Sequence, residues 1–207
     1  MTRILGLSGS LRAGSYNRQL LEIAADRAPE GVQVDVHPLG EVPLFDEDLD
    51  GADVPAAAAA LRDAVAAADA VLIATPENNR SLPAVLKNAI DWLSRPWQAN
   101  ALIDKPVAVI GTSLGPEGGA RTHDLVRELA GAIGGAVVEQ ARLSVPRSLS
   151  RFADVDPRDD VEVADQVAQA VATLAAAVPV PERTYGDVPP PASAAGLATS
   201  RRRRRQA

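Results

Sequence analysis

Two uninterrupted apolar runs, residues 70–74 and 107–110, constrain the fold of this chain more than any other feature of its sequence. A strand that is apolar at every position must be covered on both faces, which is typical of a parallel sheet between two layers of helices. Shorter segments of similar character recur along the chain. The predicted strands span residues 4–8, 32–38, 70–75, 107–112 and, as a shorter one, 136–138.

Amphipathic segments alternate with these strands and predict five helices. Pro83 lies near one predicted helix start, and Gly134 and Gly135 follow the end of another. The predicted fold class is α/β, a flavodoxin-like three-layer sandwich with a five-stranded parallel sheet in the order 2-1-3-4-5. In that order the ligand crevice lies between strands 1 and 3, at the loops that follow Ser8 and Thr75. The predicted helices span residues 17–27, 55–67, 82–93, 119–133 and 159–177.

The loop GSLRAGSYN, residues 9–17, leads into a predicted helix N-terminus, where unpaired N–H groups and the helix dipole favour an anion. Ser10, Ser15 and Asn17 add side-chain donors. Arg12 adds a guanidinium whose planar fork matches phosphate oxygens. The loop has neither the GxGxxG nor the Lys-Ser/Thr pattern, so it suits one terminal phosphate without a metal. An ordinary strand-to-helix turn with Asn17 as the N-cap is the alternative.

Composition excludes several kinds of site. The chain has 207 residues, no cysteine and two histidines, His37 and His123, so thiolate chemistry is excluded and a histidine-rich metal site is disfavoured. No apolar run reaches the roughly 20 residues of a membrane span. The N-terminus leads directly into a strand without a signal peptide, which predicts a cytoplasmic location. The formal net charge of −6 argues against a nucleic-acid-binding core.

The chain is predicted to divide into a folded domain, residues 1–178, and a tail, residues 179–207. The tail is rich in Pro and Ala and contains five consecutive arginines at 201–205, so it has too little apolar material to fold. Its arginines predict at most a weak contact with polyanions. A solvated extension without a specific partner is the favoured interpretation.

Three blocks of sequence resemble the NAD(P)H-dependent FMN reductase family, which includes chromate- and quinone-reducing flavoproteins. They are GSLRxGSxN at residues 9–17, TPExNxSxPxxLKNAIDW at 75–92 and KPVAVIGTSxGxxGGAR at 105–121. The blocks follow one another in the expected order within the alternation of strands and helices, and the resemblance covers about residues 1–175. It implies that residues 1–178 form a flavodoxin-like FMN-binding domain.

The resemblance also implies which residues contact the cofactor. The first block matches the loop that holds the FMN phosphate, the second matches the loop against the isoalloxazine ring, and the third approaches the ring from strand 4. No catalytic side chain is implied, because the chemistry takes place at flavin N5. Arg80 is expected either to contact NAD(P)H or an anionic acceptor, or to cap its loop. The implied cofactor-binding residues are Ser10, Arg12, Ser15, Asn17, Pro76, Glu77, Asn78, Asn79, Ser113 and Gly115.

Two places in the sequence depart from the family's pattern. Asn78 stands where the family usually has Tyr, so an aromatic contact beside the flavin is lost, and FMN affinity and acceptor preference are expected to differ. Thr122, His123 and Asp124 stand where relatives often place Gln and Tyr near a subunit contact. His123 is predicted to be a surface or interface residue.

The family resemblance implies a homodimer or a homotetramer. The helix from Pro83 through Trp92, ending at Trp97, is predicted to offer the apolar surface for the subunit contact. Both tryptophans are predicted to be core or interface anchors. Lys87 and Asn88 are predicted to position and pack the helix.

The predicted function is an FMN-containing oxidoreductase that passes hydride from NADPH or NADH to FMN and on to a quinone, free flavin, metal oxyanion or similar acceptor. Two alternatives stay open at this point: a flavodoxin-type electron carrier without nicotinamide turnover, and a non-catalytic flavin-fold partner protein. Electron carriers usually surround the flavin with aromatic side chains. Here only Tyr16 lies in the predicted flavin loops, which favours the enzyme.

Overall fold

The structure is a computed structural model and describes residues 1–51 and 53–179. Five strands form one sheet: β1 (Thr2–Ser8), β2 (Val32–His37), β3 (Ala70–Ala74), β4 (Pro106–Thr112) and β5 (Ala136–Val145). All pairings are parallel, and the order is β2-β1-β3-β4-β5. The predicted fold class and strand order are confirmed.

Helices cover both faces of the sheet. They are α1 (Tyr16–Asp26), α2 (Ala56–Ala67), α3 (Ala84–Leu93), α4 (Ala120–Ala132), α5 (Ser148–Arg151) and α6 (Val161–Ala176), with a 3₁₀ turn at Glu47–Leu49. Because successive side chains of a strand point to opposite faces, Leu72 packs under α1 and α6 while Val71 and Ile73 pack under α2, α3 and α4. The uninterrupted apolar runs are therefore explained by two separate cores that share one sheet.

Two elements differ from the sequence prediction. β5 runs to Val145, well beyond the predicted residues 136–138, and its register with β4 shifts between Val107 and Val109. The prediction was wrong about its length because an edge strand exposes polar side chains such as Glu139 and Arg142, which interrupt the apolar pattern. The four-residue helix α5 was not predicted, since it is too short to show a period.

The long connection between β2 and α2 is held by α3. Asn88 accepts a hydrogen bond from the Phe45 backbone N–H at 2.7 Å and donates to the Pro43 carbonyl at 2.8 Å. Trp92 donates its indole N–H to the same carbonyl at 2.8 Å, and its ring meets Phe45 edge-on. Asn88 and Trp92 thus serve packing, as predicted, whereas Trp97 is 66% exposed.

The apolar face of α3 is buried within its own subunit. Leu86, Ala89, Ile90 and Leu93 all belong to the core on that side of the sheet. The prediction that this helix supplies an apolar surface for a subunit contact was therefore wrong for the helix itself. The predicted tail, beyond Pro179, lies outside the described residues. None of the described helices combines the length and apolar character that a membrane crossing requires.

Candidate functional site

A cleft of about 570 Å³ lies at the carboxyl ends of β1, β3 and β4. This is the predicted crevice, where the strand order reverses between β1 and β3 and parallel sheets bind their ligands. Its volume is in the range of small-molecule sites. Three loops and α5 form its walls. Of the predicted cofactor-binding residues, those that line it are Ser10, Arg12, Ser15, Asn17, Pro76, Glu77, Asn78 and Ser113.

The β1–α1 loop leaves its polar groups open to the cleft. Ser15 is the N-cap of α1, and its hydroxyl oxygen accepts from the Arg18 backbone N–H at 3.4 Å, so its hydroxyl hydrogen stays free to donate. Arg12 is exposed, and its guanidinium lies 5.3 Å from the centre of the Tyr16 ring, which itself packs on Phe152. The described residues offer Arg12 no carboxylate within ion-pair distance. A stacked, unpaired cation beside a helix N-terminus is suited to an anion.

Asn17 has a different role from an N-cap. It is buried, its amide oxygen accepts from the Thr112 N–H at 2.9 Å, and its amide nitrogen donates to the Thr112 carbonyl at 3.0 Å. The alternative that made Asn17 the N-cap was wrong, because Ser15 holds that position. Asn17 ties α1 to the end of β4. One of its amide hydrogens has no partner among the described residues and remains available to a ligand.

The β3–α3 loop contains a tight two-residue turn. Asn78 and Ser81 exchange two backbone hydrogen bonds of 2.9 Å, and the residues between them, Asn79 and Arg80, have φ values of 51° and 63°. Positive φ at both central positions is the pattern of a type I′ turn. Asn adopts it readily, whereas Arg rarely does. Both residues are exposed at the tip of the turn, and neither lines the cleft.

Glu77 and Ser113 bind each other across the cleft floor. The Ser113 hydroxyl accepts from the Glu77 N–H and donates to the Glu77 carbonyl, both at 3.3 Å. The Glu77 carboxylate accepts from the Thr122 hydroxyl of α4 at 3.0 Å. The β3–α3 loop is therefore attached to β4 and α4 through side chains.

The β4–α4 loop carries α5 into the cleft. The carbonyls of Ser113 and Gly115 accept from the backbone N–H groups of Ser148 and Arg147, each at 3.0 Å. This connection places Ser148 and Leu149 in the cleft wall, and sequence reasoning missed both. Gly118 has φ 62°, and a Cβ there would lie 2.6 Å from the Val145 carbonyl, so only glycine fits. Gly115 itself lies beside the cleft, not in its lining.

His123 is fully buried, so the prediction of a surface or interface histidine was wrong. Its Nε2 lies 2.9 Å from the Thr75 carbonyl oxygen and its Nδ1 lies 2.7 Å from the Ser144 hydroxyl. Burial lowers the pKa of His123; the hydrogen bond to Thr75 opposes this, and the nearby charge of Arg127 adds to it. The sequence contains a signal for this burial, because His123 lies on the same helical face as the buried residues Val126 and Ala130.

Comparison with known proteins agrees with the geometry. The sequence profile of a family described as NADPH-dependent FMN reductase matches residues 2–149. A 2-hydroxy-1,4-benzoquinone reductase of a Burkholderia species is 40% identical over 150 residues, which cover 72% of this chain and 81% of the relative. An NAD(P)H-dependent FMN reductase of Pseudomonas aeruginosa is 43% identical over 126 residues, covering 61% of this chain and 68% of the relative.

A solved structure is similar over nearly its whole length. It is FerB, a flavoenzyme NAD(P)H:(acceptor) oxidoreductase from Paracoccus denitrificans, with a TM-score of 0.76 and 30% sequence identity over 86% of this chain and 97% of that one. The profile match spans more than half of the chain and includes all three loops of the cleft. The chain therefore belongs to the NADPH-dependent FMN reductase family of oxidoreductases, which use FMN and NAD(P)H.

Proposed function

We propose that the cleft holds FMN and that the protein passes electrons from NAD(P)H through FMN to a quinone or a similar flat organic acceptor. The observation that carries the placement of FMN is Arg12, a cation without a carboxylate partner among the described residues, at the N-terminus of α1. Such a position is suited to a terminal phosphate and costs stability if nothing binds there.

The residues present fit the phosphate group of FMN. Ser10 and Ser15 have hydroxyl groups in the cleft wall, and Asn17 has one amide hydrogen without a partner among the described residues. The first residues of α1, Tyr16 and Asn17, also line the cleft, where a helix N-terminus has unpaired N–H groups. Arg12 supplies the charge. We assign these four side chains to the phosphate, with Ser15 also capping the helix.

The other end of the cleft fits an apolar ring with a polar edge. Pro76 and Val85 offer apolar contacts, while the Asn78 side chain and the β4–α4 loop offer polar groups. FMN, when bound, accepts hydride from reduced nicotinamide and passes electrons on to the acceptor. The chain's own contribution is to orient the ring and to exclude water from it. Asn79 and Gly115 act through the shape of their loops, because neither residue lines the cleft.

The rim of the cleft favours an organic acceptor over a metal oxyanion. Leu11, Leu114 and Leu149 are 60%, 65% and 64% exposed, and all three line the cleft. An apolar rim desolvates a flat ring at little cost, whereas it offers an oxyanion no hydrogen bonds. We propose that Arg80, exposed at the tip of its turn, attracts the phosphates of NAD(P)H or an anionic substituent on the acceptor.

The subunit contact of a homodimer or homotetramer is assigned to a surface beside α3. Leu44 is 81% exposed and Trp97 is 66% exposed. Leu44 is next to Phe45 in the chain, and the Arg95 guanidinium lies 5.5 Å from the centre of the Phe45 ring. Arg95 precedes Trp97 by two residues, so Leu44 and Trp97 belong to neighbouring segments. Large exposed apolar side chains of this kind mark interaction surfaces. A cytoplasmic location and a weak polyanion contact of residues 201–205 remain predictions from the sequence.

The proposed function is tested by anaerobic mixing of the FMN-loaded protein with NADPH or NADH, followed by addition of a benzoquinone or of chromate. We expect the flavin absorbance to bleach on mixing and to recover faster with the quinone. A protein that binds FMN without bleaching would be an electron carrier, and faster recovery with chromate would overturn the choice of acceptor.

A further inference from the structure

The sheet opens between β3 and β4 at the floor of the cleft. Thr75 donates its N–H to the Ile110 carbonyl at 3.1 Å, which continues the parallel ladder by one bond beyond β3. In a parallel ladder the next bond runs from the Thr112 N–H to the Thr75 carbonyl. Instead, the Thr112 N–H binds the Asn17 side chain at 2.9 Å, and the Thr75 carbonyl accepts from His123 Nε2 at 2.9 Å. Two side chains from different helices replace one rung of the sheet.

Gly111 shows that this opening is closely packed. A Cβ built on Gly111 would lie 2.1 Å from the Thr75 carbonyl oxygen, 2.6 Å from His123 Nε2 and 2.9 Å from the Asn17 amide oxygen. The three polar atoms therefore converge on one point at which no side chain fits.

The hydrogen bonds determine the tautomer of His123. A carbonyl oxygen only accepts, so Nε2 carries the hydrogen that binds Thr75. Since burial lowers the pKa of His123 and keeps the ring neutral near pH 7, Nδ1 accepts from the Ser144 hydroxyl of β5 at 2.7 Å. The charged residues that act on the ring are Arg127 and Asp124 of α4 and Glu77 of the β3–α3 loop.

The first turn of α4 holds the β3–α3 loop at two successive points. His123 binds the carbonyl of Thr75, and Thr122 binds the carboxylate of Glu77 at 3.0 Å. Pro76 lies between Thr75 and Glu77, and Asn78 follows Glu77; both Pro76 and Asn78 line the cleft. Proline has no N–H, so the backbone at position 76 cannot donate to the sheet itself.

We propose that His123 is a positioning residue that, as the neutral Nε2–H tautomer, fixes the Thr75 carbonyl and thereby holds the Pro76–Asn78 segment in its FMN-binding conformation. This assignment rests on the proposed function, in which that segment contacts the flavin. Without the donor, the Thr75 carbonyl is left buried and unpaired, and the segment has to be ordered by FMN itself.

The test compares His123→Leu, which removes the donor, with His123→Gln, which keeps an N–H group on a side chain of similar reach. Val126→Ala is the matched control, because Val126 is fully buried on the same helix, packs in the core and has no side-chain hydrogen bond. Two quantities are measured: the FMN dissociation constant, and hydrogen exchange of the Glu77 and Asn78 amides in the protein without FMN.

We expect His123→Leu to weaken FMN binding and to speed amide exchange at both positions by about tenfold or more. In His123→Gln we expect FMN affinity and amide exchange rates close to those of the wild type. In Val126→Ala we expect a lower unfolding midpoint with FMN affinity and exchange rates unchanged. Nitrogen-15 NMR of the wild-type ring is expected to show the Nε2–H tautomer. An Nδ1–H tautomer, or a folded His123→Leu protein with unchanged exchange, overturns the proposal; so does a His123→Gln protein that behaves like His123→Leu.

Ser144→Ala keeps the test decisive if His123→Leu does not fold. It removes only the partner of Nδ1, so we expect weaker FMN binding and faster amide exchange, both to a smaller extent than in His123→Leu. If neither quantity changes in Ser144→Ala, the proposal is contradicted. Failure of the proposed function is distinguishable, because a wild-type protein that does not bind FMN leaves the exchange measurement and the tautomer unaffected.

Discussion

The two walls of the cleft use polar residues in opposite ways. In the β1–α1 loop the guanidinium of Arg12 and the hydroxyl hydrogen of Ser15 are free to meet a ligand. In the opposite wall the Glu77 backbone and the Ser113 hydroxyl bind each other, and the Glu77 carboxylate binds Thr122. Behind that wall, His123 binds the Thr75 carbonyl. The first wall is built to attract an anion, and the second is built to hold its own shape. Substitutions should therefore affect ligand affinity in the first wall and loop geometry or stability in the second.

The largest expected effect is that of Gly111→Ala, beneath the second wall. The new Cβ would lie 2.1 Å from the Thr75 carbonyl oxygen, a backbone atom that cannot move without the strand. We expect a loss of about 3 kcal/mol or more in the free energy of unfolding, measured by chemical denaturation. Gly51→Ala is the control, since a Cβ there meets no atom of the described residues within 4 Å. Equal stability of the two variants would show that the packing around position 111 is loose.

Arg12→Ala tests the first wall. Loss of a charge-assisted contact is expected to weaken FMN by about 1.5–3 kcal/mol while leaving riboflavin, which lacks the phosphate, nearly unchanged. Arg18→Ala is the matched control, because Arg18 lies on α1 but pairs with Glu22 and does not line the main cleft. Titration of the apoprotein with both flavins measures the difference. Equal weakening of FMN and riboflavin would contradict the phosphate assignment.

Asn78→Tyr asks whether the second wall also touches the flavin. Asn78 is exposed in the cleft, so an aromatic ring has space there. We expect FMN to bind more tightly by about 1 kcal/mol through aromatic contact, and the ratio of quinone to free-flavin reduction to change. Asn78→Ala serves as the control that removes the amide without adding a ring. If affinity and ratio stay the same in the Tyr variant, residue 78 does not contact the ring.

The smallest expected effect is a pH dependence of stability from the second wall. Burial lowers the pKa of His123 in the folded state, so the unfolded chain binds a proton first as the pH falls. The free energy of unfolding should therefore decrease as the pH falls below about 6.5, the usual pKa of histidine. Denaturation curves of wild type and His123→Gln at several pH values isolate this contribution, because the pKa of His37 is also lowered by burial and is common to both. If the free energy of unfolding depended on pH in the same way in both proteins, the contribution of His123 would be contradicted.

The sequence by itself determined the sheet, its strand order and the cleft loops after Ser8 and Thr75, while the third loop was implied by the family resemblance. Those features depend on local signals: uninterrupted apolar runs at 70–74 and 107–110, helical periodicity between them, and small or hydroxyl-bearing residues where strands end. Each signal is complete within a short window. The fold class and the location of the crevice could therefore be predicted.

Only the tertiary structure decided what the polar residues of the cleft do. Asn17 binds Thr112, 95 positions away, and His123 binds Thr75, 48 positions away, so neither partner is visible in the neighbouring sequence. Ser15 takes the N-cap, and backbone bonds to Ser113 and Gly115 connect α5 to the wall. The physical reason is that a buried polar group must be paired, while the partner is chosen by how strands and helices converge.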